Sequence, residues 1–275
     1  MLLHITMLSC SGILSMTQNN PIGVFDSGIG GISIWKEINQ LLPHESTIYL
    51  ADSKNAPYGQ KSTQDIIDLC VKNTELLINK GCKLIVVACN TATTNAIKHL
   101  RANYDVPFIG IEPAIKPAAL HTQTKSIGIL ATKGTLSSEL FHNTTELYSE
   151  NIQITEQIGK GLVELIESGK INSEEMTNLL NNYLKPMLEN NIDYLVLGCS
   201  HYPFLINQIK NLLPNNITII DSGKAVATQV NAVLKQLCLK KTTHLNTKHL
   251  FYSNKDVAIL SSFLDDTHQT VELDF

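Results

Sequence analysis

Two cysteines stand where buried strands are predicted to end, each with polar side chains directly behind it. Cys89 follows the apolar run LIVVA, and Cys199 follows the apolar run YLVLG. His201 comes two residues after the second cysteine. A thiolate is a strong base and nucleophile, and its ordinary pKa of about 8.5 is lowered by a helix N-terminus or a nearby cation. Because ligands bind at the carboxyl ends of strands in open α/β sheets, both thiols are predicted to reach one ligand site.

The number of cysteines decides which chemistry is predicted. A single cysteine beside a histidine would indicate nucleophilic hydrolysis or acyl transfer. Two cysteines facing each other indicate that one thiolate removes a proton from a stereocentre while the opposite thiol delivers one to the other face. Such a racemisation needs no cofactor when the carbanion is stabilised electrostatically. The alternatives are that each cysteine is a small packed residue, that Asp26 caps a turn and that His201 is a surface histidine.

The elements that must position these residues alternate strand and helix along the chain. PIGVFDSGIGG (21–31) reads as a strand and a glycine-rich turn, and a helix is predicted to begin after Ser62 and to end near Gly81. The run KLIVVA is apolar throughout, which is typical of a parallel strand covered on both faces. A second series begins at SIGILATKGT (126–135). This alternation predicts an α/β fold with mostly parallel sheets.

The second series repeats the landmarks of the first. Gly81 and Asn191, which are predicted to close helices, lie at the same separation before Cys89 and Cys199. Two generic α/β domains would also share strand and helix lengths, which is the alternative explanation. The cysteine at corresponding strand ends favours a repeat. We predict two similar open parallel-sheet α/β domains related by pseudo-two-fold symmetry, with the active site in the cleft between them.

The turn DSGIGG offers a competing hypothesis, a dinucleotide site. Gly28 and Gly30 fit the first two glycines of that fingerprint, and Asp52 ends the next predicted strand. The third glycine position, however, is Ser33, and Asp26 places a carboxylate where a phosphate would bind. We therefore disfavour a nicotinamide cofactor and interpret the glycines as allowing close backbone approach to a ligand.

The composition limits the partners and the compartment. The 275 residues are 43% hydrophobic and 17% charged, with a formal net charge of -4 and no basic stripe, which disfavours nucleic acid. The six cysteines include no C-x-x-C pair, so we predict no metal site, no disulfide framework and a reducing compartment. Residues 1–20 contain no Lys or Arg and do not resemble a signal peptide; we predict a disordered or mis-annotated extension. No segment is long enough to span a membrane.

Five motifs, taken together and in this order, carry a resemblance to a known family. FDSGIGG, ADSKNAPYG, VVACNTAT, IGIEPA and LVLGCSHYP resemble the glutamate racemases of the aspartate/glutamate racemase superfamily, from about Pro21 to Asp221. The resemblance implies cofactor-independent racemisation of L-glutamate to D-glutamate for peptidoglycan synthesis, in the cytoplasm, by a homodimer. It also implies a first domain of residues 21–112 plus 222–275 and a second domain of residues 113–221.

The resemblance assigns roles to particular side chains. The residues implied in catalysis are Cys89, Cys199, Asp26, His201 and Glu167. The residues implied in substrate binding are Asp26, Ser27, Tyr58, Gly59, Asn90, Thr91, Thr135, Ser200 and His201. This chain departs from the family pattern at Ser200, where threonine is usual, and lacks the Cys-Pro pair before the run that ends at Glu167. Two alternatives remain: a racemase for aspartate or another amino acid, and a binding protein for acidic amino acids without turnover.

Overall fold

Ten parallel strands form two sheets in the computed structural model, which describes residues 16–243, 246–255 and 257–275. Of the extension predicted over residues 1–20, residues 1–15 lie outside the described residues. The strands are β1 Ile22–Asp26, β2 Thr47–Ala51, β3 Leu84–Val87, β4 Phe108–Gly110, β5 Ser126–Ala131, β6 Gln153–Ile158, β7 Tyr194–Gly198, β8 Thr218–Ile220, β9 His249–Ser253 and β10 Thr270–Glu272.

Helices connect the strands, as parallel pairing requires. The helices are α1 Ile32–Leu41, α2 Thr63–Asn79, α3 Asn90–Asn103, α4 Ile115–His121, α5 Lys133–Leu136, α6 Glu139–Ser149, α7 Leu162–Glu167, α8 Glu174–Glu189, α9 Ile206–Leu212, α10 Gly223–Gln236 and α11 Val257–Ser262. Short 3₁₀ turns lie at Ser53–Asn55, Tyr58–Gln60 and Tyr202–Leu205. The predicted start of α2 is confirmed, because the Asp65 amide donates to the Ser62 hydroxyl at 3.1 Å.

The two sheets share one strand order, which confirms the predicted fold class. The first sheet runs β10-β9-β2-β1-β3-β4 and the second runs β6-β5-β7-β8, with every pair parallel. The order β2-β1-β3-β4 in one therefore corresponds to β6-β5-β7-β8 in the other. We call the elements of the first sheet the first half and those of the second sheet the second half. All four strands of the second half lie within residues 113–221, whereas the domain boundaries themselves stay a prediction.

The repeat extends to single backbone positions. Gly81 and Asn191, predicted to close equivalent helices, both adopt a positive φ, 78° and 53°. Each is followed by a strand, β3 or β7, whose apolar residues are almost fully buried. Cys89 and Cys199 follow those two strands and occupy corresponding places. In each sheet the neighbouring strand pair, β1 with β3 or β5 with β7, is where the connections change direction, and ligand crevices form there.

A buried ion pair between Lys83 and Glu45 connects several segments of the chain next to the first sheet. The ammonium of Lys83 lies 2.6 Å from the Glu45 carboxylate and also donates to the carbonyls of Gln18 and Leu239, at 2.7 and 2.9 Å. The other Glu45 oxygen accepts from the Lys241 amide at 2.7 Å. Both charges are thus satisfied by several partners, the condition under which a buried pair is tolerated.

We predict that Lys83→Met destabilises the protein by about 3–5 kcal/mol, because it leaves the Glu45 carboxylate buried without its cation. Urea unfolding measures the loss. Lys54→Met is the matched control: Lys54 pairs with Asp274 at 3.1 Å, but these side chains are 61% and 84% exposed. The control should stay within about 1 kcal/mol of the native chain. Equal losses in the two variants would contradict the prediction.

Candidate active site

A small cavity lies between the two halves, where both cysteine-bearing loops meet. Its empty volume is about 250 Å³. The residues that line it are Ser27, Pro57, Tyr58, Gly59, Cys89, Asn90, Thr91, Thr132, Val163, Cys199, Ser200 and His201. A wider cleft of about 850 Å³ adjoins it and shares Pro57, Gly59, Thr132 and Val163 with its wall. The wider cleft carries neither thiol, whereas both Cys89 and Cys199 line the small cavity.

Cys89 is held by the first half alone. It is the N-cap of α3, where its sulfur accepts from the Ala92 amide at 3.4 Å, and it lies 3.5 Å from the Ser27 hydroxyl. Burial raises the pKa of the Cys89 thiol, and the nearby Asp26 carboxylate raises it further. The Ser27 hydroxyl and the Ala92 amide oppose that rise by stabilising the thiolate. Without a ligand, therefore, the neutral thiol is favoured at Cys89.

Cys199 has a different neighbour, a histidine backed by a carboxylate. The Cys199 sulfur lies 3.9 Å from Nδ1 of His201, and Nε2 of His201 lies 2.6 Å from Glu167 Oε1. Burial on its own would lower the pKa of His201, but Cys199 and Glu167 outweigh it and raise that pKa well above the usual value. A protonated imidazole is thus stabilised beside the sulfur of Cys199.

The carboxylate of Asp26 joins the halves at the centre of the site. It accepts from the Gly31 amide at 2.8 Å in its own loop and from the Ser200 hydroxyl of the second half at 3.2 Å. Burial raises the pKa of Asp26, whereas His201 and the Gly31 amide lower it. Asp26 is fully buried. Asp26 thus caps its own turn, as considered above, and also bonds to the second half.

The glycine-rich turn makes room for side chains of the second half. A Cβ atom at Gly28 would lie 1.9 Å from Glu167 Oε1, and one at Gly30 would lie 2.2 Å from His201 Nδ1. The amide of Ile29, between them, donates to the same Glu167 oxygen at 2.7 Å. The close approach predicted from the glycines is real, but its partners are Glu167 and His201. This finding corrects the expectation that these positions approach a ligand.

Asn90 presents an unsatisfied amide to the cavity. It opens α3 and is 2% exposed, and neither its side-chain nitrogen nor its side-chain oxygen has a hydrogen-bond partner among the described residues. Such a buried amide costs about 1–3 kcal/mol unless a ligand pairs with it. Its position one residue after Cys89 therefore indicates a ligand-binding group.

Three threonine hydroxyls meet across the cleft. Thr91 of the first half lies 2.8 Å from Thr132 and 3.3 Å from Thr135, which are 3.0 Å apart in the second half. Thr135 was predicted as a binding residue, yet Thr132 is the one that lines the cavity. Thr132 directly follows β5, so the strand-end rule that selected the cysteines would also have found it.

Tyr58 lines the cavity, but its hydroxyl is hydrogen-bonded to residues outside the cavity wall. The phenol donates to the Asp52 carboxylate and accepts from Asn73 at 3.2 Å. Asn254 also donates to Asp52, at 2.5 Å. Asp52, the acid that fitted a dinucleotide fingerprint, thus anchors the 3₁₀ turn that carries Tyr58 and Gly59.

The structure brings the predicted site residues together in two layers. The cavity wall contains nine of them: Cys89, Cys199, His201, Ser27, Tyr58, Gly59, Asn90, Thr91 and Ser200. Asp26, Glu167 and Thr135 lie behind the wall and are bonded to residues in it. Sequence reasoning missed Pro57, Thr132 and Val163, of which the two apolar residues carry no chemical signal.

Among residues 16–243, 246–255 and 257–275, no group of three or more His, Cys, Asp or Glu side chains is arranged to hold a metal ion. No helix there combines the length and the apolar character needed to cross a membrane.

Comparison with known proteins shows similarity to racemases over most of the chain. Residues 22–230 match the model of the family described as Asp/Glu/Hydantoin racemase. A glutamate racemase of Cupriavidus pinatubonensis is 45% identical over 87% of this chain and 88% of its own length. One of Ectopseudomonas mendocina is 42% identical over 89% and 93%. The structure of Escherichia coli glutamate racemase with L-glutamate and the activator UDP-MurNAc-ala is 31% identical, covers 92% of this chain and 97% of that one, and has a TM-score of 0.81. This chain belongs to the Asp/Glu/Hydantoin racemase family.

Proposed function

We propose that this protein interconverts L-glutamate and D-glutamate without a cofactor, using Cys89 and Cys199 as its two acid/base groups. The observation that carries the proposal is that both thiols line one small buried cavity, each delivered by the corresponding strand of one half. The glutamate racemases that resemble this chain over most of its length support glutamate as the substrate.

The polar groups of the cavity suit an amino acid with two carboxylates. Asp26, which lies directly behind the wall, is the acid whose charge attracts the substrate ammonium. The free amide of Asn90 and the hydroxyls of Ser27, Thr91 and Ser200 are neutral donors for the carboxylates. The amides at the start of α3 add a favourable dipole for negative charge. Binding of this kind satisfies the side-chain amide of Asn90, which has no hydrogen-bond partner in the part of the chain that the structure describes.

Proton transfer changes the state of both sulfurs and conserves charge. In the D-to-L direction the Cys89 thiolate takes the α-proton, so the Cα–H bond breaks and an S–H bond forms. The Cys199 thiol then gives its proton to the opposite face of Cα and becomes the thiolate. The L-to-D direction reverses these steps. Exclusion of water from the closed cavity keeps the carbanion from being protonated at random.

The substrate itself promotes formation of the Cys89 thiolate. Burial and the Asp26 charge both raise the pKa of that thiol. An ammonium group bound in the cavity near Asp26 cancels part of the negative field, which favours the thiolate just when a substrate is present. In the second half, the charged imidazole of His201 lies beside the Cys199 sulfur, and the Glu167 carboxylate holds that imidazole in place.

The wider setting follows from the same proposal. D-Glutamate supplies peptidoglycan synthesis, so we place the protein in cell-wall biogenesis and cell shape, in the cytoplasm, as a homodimer. Its first domain comprises residues 21–112 and 222–275, and its second comprises residues 113–221. Racemisation of aspartate or another amino acid, and binding without turnover, are the alternatives that the experiments below separate.

The first experiment tests the reaction and its substrate. Purified protein is incubated in D₂O with L-glutamate, or with L-aspartate in parallel, and no cofactor is added. We expect the circular dichroism of glutamate alone to decay, with deuterium appearing at Cα. Decay of the circular dichroism of aspartate instead would identify aspartate as the substrate. A folded protein that binds glutamate but exchanges no α-hydrogen would support binding without turnover and would contradict racemase activity.

We predict that Cys89→Ala and Cys199→Ala each lower racemisation by roughly 10²- to 10⁴-fold. Values of kcat/KM must fall equally in both directions, because mirror-image substrates have an equilibrium constant of one. The remaining thiol should still exchange one α-hydrogen with D₂O, with retention of configuration. Cys89→Ala should exchange L-glutamate only, and Cys199→Ala should exchange D-glutamate only, as NMR detects. Exchange of the same enantiomer by both variants would contradict the assignment.

We predict that His201→Asn lowers kcat/KM by about 10²-fold or more, because Cys199 loses the cation beside it. The pKa of His201 is raised, so its charge is present at neutral pH and is lost as the pH rises through that value. The native enzyme should therefore lose activity on the alkaline side, and the variant should lack this decline. His99→Asn, at an exposed position on α3, is the control and should keep the native profile. An unchanged alkaline decline in His201→Asn would refute the role.

A further inference from the structure

Ser33 occupies the place where a dinucleotide fingerprint would have its third glycine, and it bonds across the cleft. It lies in the first turn of α1, in the first half. Its hydroxyl donates to the Ser200 carbonyl of the second half at 2.8 Å, and the Gly30 carbonyl lies at the same distance. Gly30 already accepts from the Ser33 amide at 3.1 Å. The single hydroxyl proton is therefore shared between the Gly30 and Ser200 carbonyls, and the Ser200 carbonyl is the acceptor that lies in the opposite half.

The Ser200 carbonyl needs a donor that its own turn cannot supply. The neighbouring carbonyls of Cys199 and His201 accept from amides three residues ahead, at 3.1 and 3.2 Å. Three residues after Ser200 stands Pro203, which has no N–H. Ser200 is 2% exposed, so water does not readily replace the missing donor. Ser33 supplies it from the opposite half.

The bonded peptide unit is the one that leads into His201. The Ser200 side chain is tied to Asp26 of the first half at 3.2 Å, and the His201 ring lies against the bare Cα of Gly30. The Ser33 bond adds a backbone restraint to this contact. It fixes the Ser200–His201 peptide, and hence the imidazole beside Cys199, relative to the first half.

Cys89 has no comparable dependence on Ser33. Its sulfur is held by the Ala92 amide of its own helix and by Ser27, both in the first half. Substitution of Ser33 is therefore expected to disturb the position of Cys199 more than that of Cys89.

We propose that Ser33 is a positioning residue that aligns Cys199 and His201 when the halves close. It acts on the proton transfer at Cys199 and leaves the transfer at Cys89 largely unchanged. This inference rests on the proposed two-cysteine racemisation and adds a residue that does not touch the reacting atoms.

Primary isotope effects on kcat/KM test whether Ser33 affects the proton transfer at Cys199 more than the transfer at Cys89. L-Glutamate deuterated at Cα loses its deuteron to Cys199, and deuterated D-glutamate loses it to Cys89. Ser33→Ala should lower kcat/KM about two- to tenfold, the effect of one lost hydrogen bond. Because the Cys199 step becomes more rate-limiting, the isotope effect should rise for L-glutamate and fall for D-glutamate.

Two further variants separate positioning from general loosening. Ser33→Thr keeps the hydroxyl and should keep the native isotope effects. Ser126→Ala removes a similar bond, from a buried serine to the Asn190 carbonyl at 2.7 Å, wholly within the second half and outside the cavity wall. It should lower the melting temperature without changing either isotope effect.

The possible outcomes are distinct. Opposite shifts in Ser33→Ala, absent from the other two variants, support the positioning role. Parallel shifts, unchanged isotope effects, or the same shifts in Ser126→Ala overturn it while racemisation stands. A native protein that does not racemise glutamate overturns the proposed function and this inference together.

Discussion

One carboxylate oxygen holds the two halves in register at the site. Oε1 of Glu167 accepts from the Ile29 amide of the first half at 2.7 Å and lies 2.6 Å from His201 of its own half. The second oxygen accepts from the Ser53 hydroxyl at 3.0 Å. This geometry requires a glycine at 28, because any Cβ there would overlap Glu167. Cys199 and this same carboxylate together raise the pKa of His201 and so favour the charge beside Cys199.

The repeat is symmetric in its strands and asymmetric in its chemistry. Cys89 and Cys199 follow corresponding strands, yet one is the cap of a helix near a carboxylate and the other lies beside a histidine. The two sulfurs therefore have different charged neighbours despite their equal topology. On the proposed function this difference is useful, since each turnover begins from one thiolate and one thiol.

Burial explains why the polar groups of the site are so heavily bonded. Asp26, Ser200 and His201 are almost inaccessible to solvent. Asp26 and Ser200 are hydrogen-bonded to each other across the two halves, and His201 is hydrogen-bonded to Glu167. Asn90 is the exception, because its amide is buried and unpaired. Because Asn90 lines the cavity, a bound ligand is able to complete its hydrogen bonding. The cavity is thus complementary to a polar molecule before one is bound.

Local sequence patterns determined the elements and the two reactive positions, because helix caps, apolar strands and strand-end cysteines are short-range features. The capping at Ser62, the turn at Gly81 and the places of Cys89 and Cys199 were all predictable in this way. Only the tertiary structure decided which side chains meet across the cleft. It joined Glu167 to Ile29, turned the glycines toward protein side chains and placed Ser33 beneath Ser200. Such contacts link residues far apart in the chain, and their geometry depends on how two sheets pack, which no local pattern encodes.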